Sequence, residues 1–308
     1  MKTILFINRK EPVCGIYQYG IRVYKIISNS QKYRFIYCEV GSQQEYENYV
    51  NVYEPSALIY NYVSFGVMKW LTEDLMRNYP HIKHLKLCHE DETILLFEAF
   101  INDVWEIHYP VYWTARPIFE NLNFEYKHNE IPIIGSFGFA FTNKNFDKIC
   151  KIVNEEFEEA IIRIHTPSIM NDIWGVNERL AHVKNLCEKQ ITKPGIKLEI
   201  TGGFLTNEEL LKFLSENTIN VFLYDTNDKG RGLSSVIDYA ISVKRPIAIS
   251  TAFMFRHISD TQPSICVEDS TLKQIIQNGP EVLDKYRESW KHENLIKDYE
   301  NILYQTLK

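Results

Sequence analysis

A chain of 308 residues, 45% hydrophobic and 24% charged, is long enough for two domains of ordinary size and has the balance of a globular protein. A net charge of −6 excludes a broad nucleic-acid surface, which needs a basic face, but leaves room for a local basic pocket around a phosphorylated ligand. The six cysteines stand singly with no C-x-x-C pair; this speaks against a zinc knuckle or redox dithiol and reads as buried free thiols in a reducing compartment.

In chain order, Thr3–Ile7 reads as a first strand and Asn8–Tyr17 as a loop broken by Pro12 and Gly15. Tyr19–Ser28 carries apolar residues at helical spacing (Ile21, Tyr24, Ile27). Tyr33–Glu39, Ala57–Tyr60, His84–Cys88 and Val104–His108 read as further strands with helical segments between them. The polar segment Asn121–Pro132 suggests a domain boundary, and a second series of alternating strands and helices follows. Its strands are Ile133–Phe137, Ala160–Ile164, Lys197–Thr201, Ile219–Tyr224 and Pro246–Ser250. Its helices are Asn145–Glu158, Asn177–Lys189, Asn207–Ser215 and Ser234–Ser242. Gly279-Pro280 opens a helical tail to about Leu307. Alternation of this kind predicts two doubly wound α/β domains, at 1–130 and 131–285, with 286–308 as a closing helix. No run approaches the ~18 apolar residues that a spanning helix needs, and the apolar start is too short for a signal peptide. The expected location is the cytoplasm, with peripheral contact to the inner membrane face left open.

The segment Asp225 to Asp238 is the most informative. A buried strand runs into a loop with Gly230, Arg231 and Gly232, then into a helix. Such a loop brings backbone N–H groups and a helix N-terminus to an anion, and Arg231 adds a bidentate fork. The expectation is a site for the diphosphate of a nucleotide-sugar. Lys144, after a loop containing Gly138, adds a point charge. Ser234 and Ser235 would cap the helix or donate to phosphate, and Asp238 would accept from ribose hydroxyls. Asp225 and Asp228 read as turn residues rather than metal ligands. His89 and Glu90, at the carboxyl end of a strand of the first domain, stand where an α/β enzyme places acceptor-side chemistry, with Glu90 as general base if the reaction inverts. Arg163 with His165, and Arg256 with His257, offer further basic groups, against the competing reading of structural ion pairs.

These motifs, in this order, resemble the GT-B glycosyltransferases, in particular the retaining family of bacterial polysaccharide and lipopolysaccharide synthesis (glycosyltransferase family 4-like, group 1). Gly15 to Gly20 is similar to the family's first glycine loop, and Gly135 to Lys144 to its G-R-L-x-x-x-K phosphate loop. Lys197 to Gly203 is similar to the strand ending in glycine, Gly232-Leu233 through Pro246 to the G-x-G-L…E-A segment, and Ser289 to Tyr299 to the closing helix. Phe139 stands where the family has an arginine, Asp238 or Tyr239 in place of its second glutamate, and Lys229 or Gly230 in place of its first. The resemblance implies two Rossmann-like domains facing across a cleft, with the closing helix crossing back to the first. It also implies hexosyl transfer from a nucleotide-sugar to a glycan or lipid-linked acceptor, with retention and without a metal or other cofactor. Implied donor-binding residues are Gly15, Gly138, Lys144, Gly203, Arg231, Gly232, Leu233, Ser234, Ser235 and Asp238; implied catalytic residues are His89, Lys144 and Arg231. The altered carboxylates keep open a non-catalytic nucleotide- or partner-binding protein, and the architecture also fits a nucleotide-sugar isomerase or epimerase.

Overall fold

The computed structural model describes residues 1–11, 14–62, 68–89, 93–96, 111–124, 129–167, 176–226 and 232–308. These fall into two compact units: Met1–Ile118 with Ser289–Lys308, and Phe119–Glu288.

The first unit opens with β1 (Lys2–Asn8) and α1 (Gly15–Ile27), followed by β2 (Tyr33–Glu39), α2 (Gln43–Tyr53) and β3 (Ala57–Tyr62). It continues with α3 (Glu73–Arg77), β4 (Lys83–Cys88), β5 (Thr93–Leu96) and β6 (Val111–Trp113). The sheet runs β2-β1-β3-β4-β5-β6. The first four strands are parallel, and β5 and β6 extend the edge antiparallel. Ile4 to Ile7 on the inner strand β1 are fully buried, as a strand covered on both faces requires. Helix α1 begins at Gly15, four residues before the apolar spacing becomes visible; Gln18 N–H already donates to the Cys14 carbonyl at 3.0 Å. Glycine read as a breaker, yet in a first turn whose N–H groups have no intrahelical partner it costs little. The expected strand Val104–His108 lies outside the described residues.

The second unit contains β7 (Ile133–Phe137), α4 (Phe146–Glu156), β8 (Ala160–Thr166), α5 (Val176–Lys189) and β9 (Ile196–Gly202). It continues with α6 (Asn207–Ser215), β10 (Ile219–Phe222), α7 (Val236–Ser242), β11 (Ile247–Ile249), α8 (Leu272–Asn278) and α9 (Asp284–Ser289). All strands are parallel in the order β11-β10-β7-β8-β9. Residues of β10 and β11 are buried throughout. Phe119, Leu122 and Phe124 pack with Leu211, Leu214 and Tyr239 of this unit.

Helix α10 (His292–Thr306) returns to the first unit and packs along α1. Its anchors are polar as well as apolar. Glu300 accepts from Ser30 Oγ at 2.7 Å and pairs with Lys32 Nζ at 2.8 Å; Asp298 accepts the Ala115 N–H at 2.7 Å; His292 Nε2 donates to the Ile118 carbonyl at 2.8 Å. Burial acts to raise the Glu300 carboxyl, but the bonds from Lys32 and Ser30 outweigh it and leave it below the usual range. Among the described residues, no helix is long and apolar enough to cross a membrane.

Candidate functional site

In an open α/β sheet, ligands sit beyond the carboxyl ends of the strands where the strand order reverses. In the second unit that point lies between β7 and β10. Two loops meet there. The loop after β7 contains Gly138, at φ 146°, where an added Cβ would meet nothing within 4 Å. It ends in a 3-10 turn, Thr142–Lys144. The loop after β10 begins Leu223, Tyr224, Asp225. Asp225 N–H donates to the Asn143 carbonyl at 2.9 Å, and Lys144 Nζ lies 3.4 Å from the centre of the Tyr224 ring. The ring's negative face holds the ammonium at the sheet edge.

Tyr224 is the hub of this edge, and sequence reasoning missed it. Its hydroxyl accepts from Ser234 Oγ at 3.0 Å, its carbonyl accepts from Ser250 Oγ at 2.7 Å, and its ring packs on Phe255 at 4.6 Å. Ser234 N–H donates to the Met254 carbonyl at 3.1 Å, which ties the approach to α7 to the loop after β11. Gly232, Leu233 and Ser235 remain half-buried on that approach. A second missed residue is Arg179, a cation on α5 stacked 5.1 Å over Phe141 of the loop that bears Lys144.

Several expected ligand contacts are placed in the interior. Ser234, expected to cap the helix or donate to phosphate, is buried and its hydroxyl donates to Tyr224. Asp238, expected at the ribose, is fully buried within α7. His165, at the end of β8, is buried with both ring nitrogens engaged. Nε2 donates to the Gly203 carbonyl at 3.2 Å, so Nδ1 accepts from the Thr201 hydroxyl at 3.0 Å. Gly203, at φ 97° after β9, therefore holds a histidine as well as a left-handed turn. Arg163 pairs with Glu216 at 3.3 Å and lies over Phe213 at 4.7 Å, and Arg256 donates to its own turn at Phe253. Arg163 is thus a structural ion pair. Arg231, Lys229, Gly230 and Asp228 lie outside the described residues, as does Glu90.

The first unit's order reverses between β1 and β3. Asn8 ends β1, Asn61 lies in β3, and both are fully buried. Asn61 Nδ2 donates to Asn8 Oδ1 at 2.7 Å and to the Ile16 carbonyl at 2.8 Å. His89, directly after β4, places Nε2 2.5 Å from Asn61 Oδ1 and its ring edge-on to Tyr19 at 5.1 Å. Burial pushes the His89 pKa down to about 3, with the positive charges of Arg116 and Arg22 acting the same way. The imidazole is neutral at neutral pH. Gly15, whose Cβ direction is open, starts α1 at this edge; the glycine the packing demands is Gly20, where a Cβ would lie 2.3 Å from Asn61 Nδ2. Among the described residues, no group of three His, Cys, Asp or Glu is arranged to hold a metal ion.

With this geometry in hand, the fold class is defined: the chain has the GT-B glycosyltransferase fold, built from Rossmann-like α/β units. It is similar over its whole length to the glycosyltransferase from Rickettsia africae ESF-5, at 11% identity and a TM-score of 0.62, covering 100% of this chain and 99% of that one. It is likewise similar to Anabaena Alr3699/HepE in complex with UDP and glucose, at 10% identity and a TM-score of 0.59, covering 99% and 100%. No family model and no curated protein matches the sequence.

Proposed function

We propose that this protein is a glycosyltransferase that moves a hexosyl group from a nucleoside-diphosphate sugar to a glycan or lipid-linked acceptor, with retention, in cell-surface polysaccharide synthesis. The observation that carries the reading is the convergence at the β7/β10 switch point of the second unit. The open Gly138 turn, the Lys144 ammonium on Tyr224, and the half-buried approach Gly232, Leu233, Ser235 all meet there. Lys144 neutralises charge that develops on the departing diphosphate, and backbone N–H groups of the two loops share it. Protein cations then take the part of a metal, so turnover proceeds in chelator. His89, being neutral, contributes hydrogen bonds to a sugar hydroxyl and no charge.

One observation favours a second reading. The carboxylate expected at the ribose, Asp238, is fully buried, which suits a nucleotide-binding protein without turnover. The deciding experiment is calorimetric titration with UDP, GDP, ADP and CMP, with magnesium and with EDTA, followed by donor-hydrolysis and transfer assays. UDP comes first because the Anabaena neighbour holds it. Lys144→Ala should weaken binding about 10- to 100-fold, the scale of one charge-assisted contact, without unfolding. Full-strength binding by that variant, or no binding by the native chain to any nucleotide, refutes the proposed site; binding without turnover selects the second reading.

A further inference from the structure

We infer that the first unit's switch point holds a one-way hydrogen-bond chain, His89 to Asn61 to Asn8 to Tyr37 to Glu39. It fixes His89 as the Nε2–H tautomer and leaves its Nδ1 lone pair to accept from a hydroxyl donor. Two backbone carbonyls establish the direction, because a carbonyl oxygen only accepts. The Asn61 atom 2.8 Å from the Ile16 carbonyl must be its amide nitrogen. That nitrogen's other proton goes to Asn8 Oδ1 at 2.7 Å. The Asn8 atom 3.1 Å from the Tyr17 carbonyl must likewise be nitrogen, consistent with its Oδ1 accepting the Arg9 backbone N–H at 3.0 Å. Neither amide can be turned over. Asn61 Oδ1 is therefore an acceptor, and the His89 nitrogen facing it must carry a proton.

The same logic carries the chain onward. Asn8 Nδ2 donates to the Tyr37 hydroxyl at 2.9 Å, and Tyr37 donates to Glu39 Oε1 at 3.1 Å. Tyr17 donates to the same carboxylate oxygen at 2.6 Å. Every proton points away from His89 and toward a carboxylate, so each link polarises the next. The two amides do what a carboxylate does beside a histidine, with one difference: they orient the ring without stabilising its charged form. The surrounding Arg22 and Arg116 act against that form as well.

Asn61 and Asn8 are thereby positioning residues, acting through His89. A lone pair at Nδ1 is repelled by a phosphate or carboxylate oxygen and satisfied by a hydroxyl, so the group selected here is a sugar hydroxyl. That last step rests on the proposed function; the tautomer does not.

The test is two-bond proton–nitrogen NMR on the ligand-free full chain labelled with 15N-histidine, with His89 assigned by its loss in His89→Gln. The expected pattern is a single neutral tautomer, protonated at Nε2 and bare at Nδ1, unchanged from pH 7.5 to 5. Asn61→Ala should convert it to a mixture of tautomers, and Glu39→Gln should weaken the preference from four links away. A protonated Nδ1, an imidazolium at neutral pH, or an Asn61→Ala pattern identical to the native one overturns the chain. Absence of nucleotide binding would sink the proposed function and leave this result standing, so the two failures are distinguishable.

Discussion

Alanine at Gly20 and alanine at Gly15, in one helix, should shift stability in opposite directions. At Gly20 the new methyl would lie 2.3 Å from Asn61 Nδ2, 2.8 Å from its Cγ and 3.0 Å from Asn8 Nδ2. The Asn61 amide is fully buried and bonded at both ends, so it has no open direction in which to swing. Alanine's helix propensity offers about 1 kcal/mol in compensation. Against this stand overpacking of about 1–3 kcal/mol and a displaced buried amide worth about 1–3 kcal/mol. The loss wins by roughly 1–5 kcal/mol, which at about 2–4 °C per kcal/mol for a single unit lowers its melting temperature by roughly 2–20 °C. At Gly15 a Cβ meets nothing within 4 Å, so alanine should be neutral or stabilising by up to about 1 kcal/mol. Urea denaturation of the two variants beside the native chain, with histidine NMR on the same samples, reads both effects. Equal midpoints for the two variants, or an unchanged His89 environment in Gly20→Ala, would refute the close approach of α1 to β3.

Acid should weaken the first unit well above the carboxylate range. His89 and His84 are held down to about 3 and about 4, each chiefly by burial. The unfolded chain binds protons at about pH 6.5 that the folded chain refuses, so this contribution is complete above that pH and is lost as pH falls toward 4 and 3. A denaturation midpoint flat between pH 7 and 4.5 would contradict it. Ser30→Ala removes a donor to buried Glu300 and an acceptor for the Lys32 and Tyr33 N–H groups. It should cost about 1.5–3 kcal/mol and raise hydrogen exchange in α10 before the central strands; uniform exchange would refute the clamp.

The second unit's strands were legible because β7, β8 and β10 are apolar runs bounded by polar turns, so their ends fall within two residues of the expected ones. Strands β5 and β6 were not legible, being only four and three residues long, too short to show an alternating pattern. At the site, Gly138 and Lys144 could be read from spacing, since a glycine turn before a helix has a local cause. The inward placement of Ser234 and Asp238 could not, because polar residues give no sign of the partner that lets them be buried. Asn61 offered one clue: an asparagine between Tyr60 and Tyr62 interrupts an apolar strand, and a buried amide must have partners.

Helix α10 makes the first unit discontinuous along the chain. As the protein is synthesised, residues 1–118 emerge without the surface that covers α1, and they must wait while the 170-residue second unit, Phe119–Glu288, is made. The second unit has all its strands and helices in one stretch and can fold while the first is still incomplete. The unit that starts the sequence is therefore the one that finishes folding last, and its waiting apolar helix face is where a chaperone would hold the nascent chain.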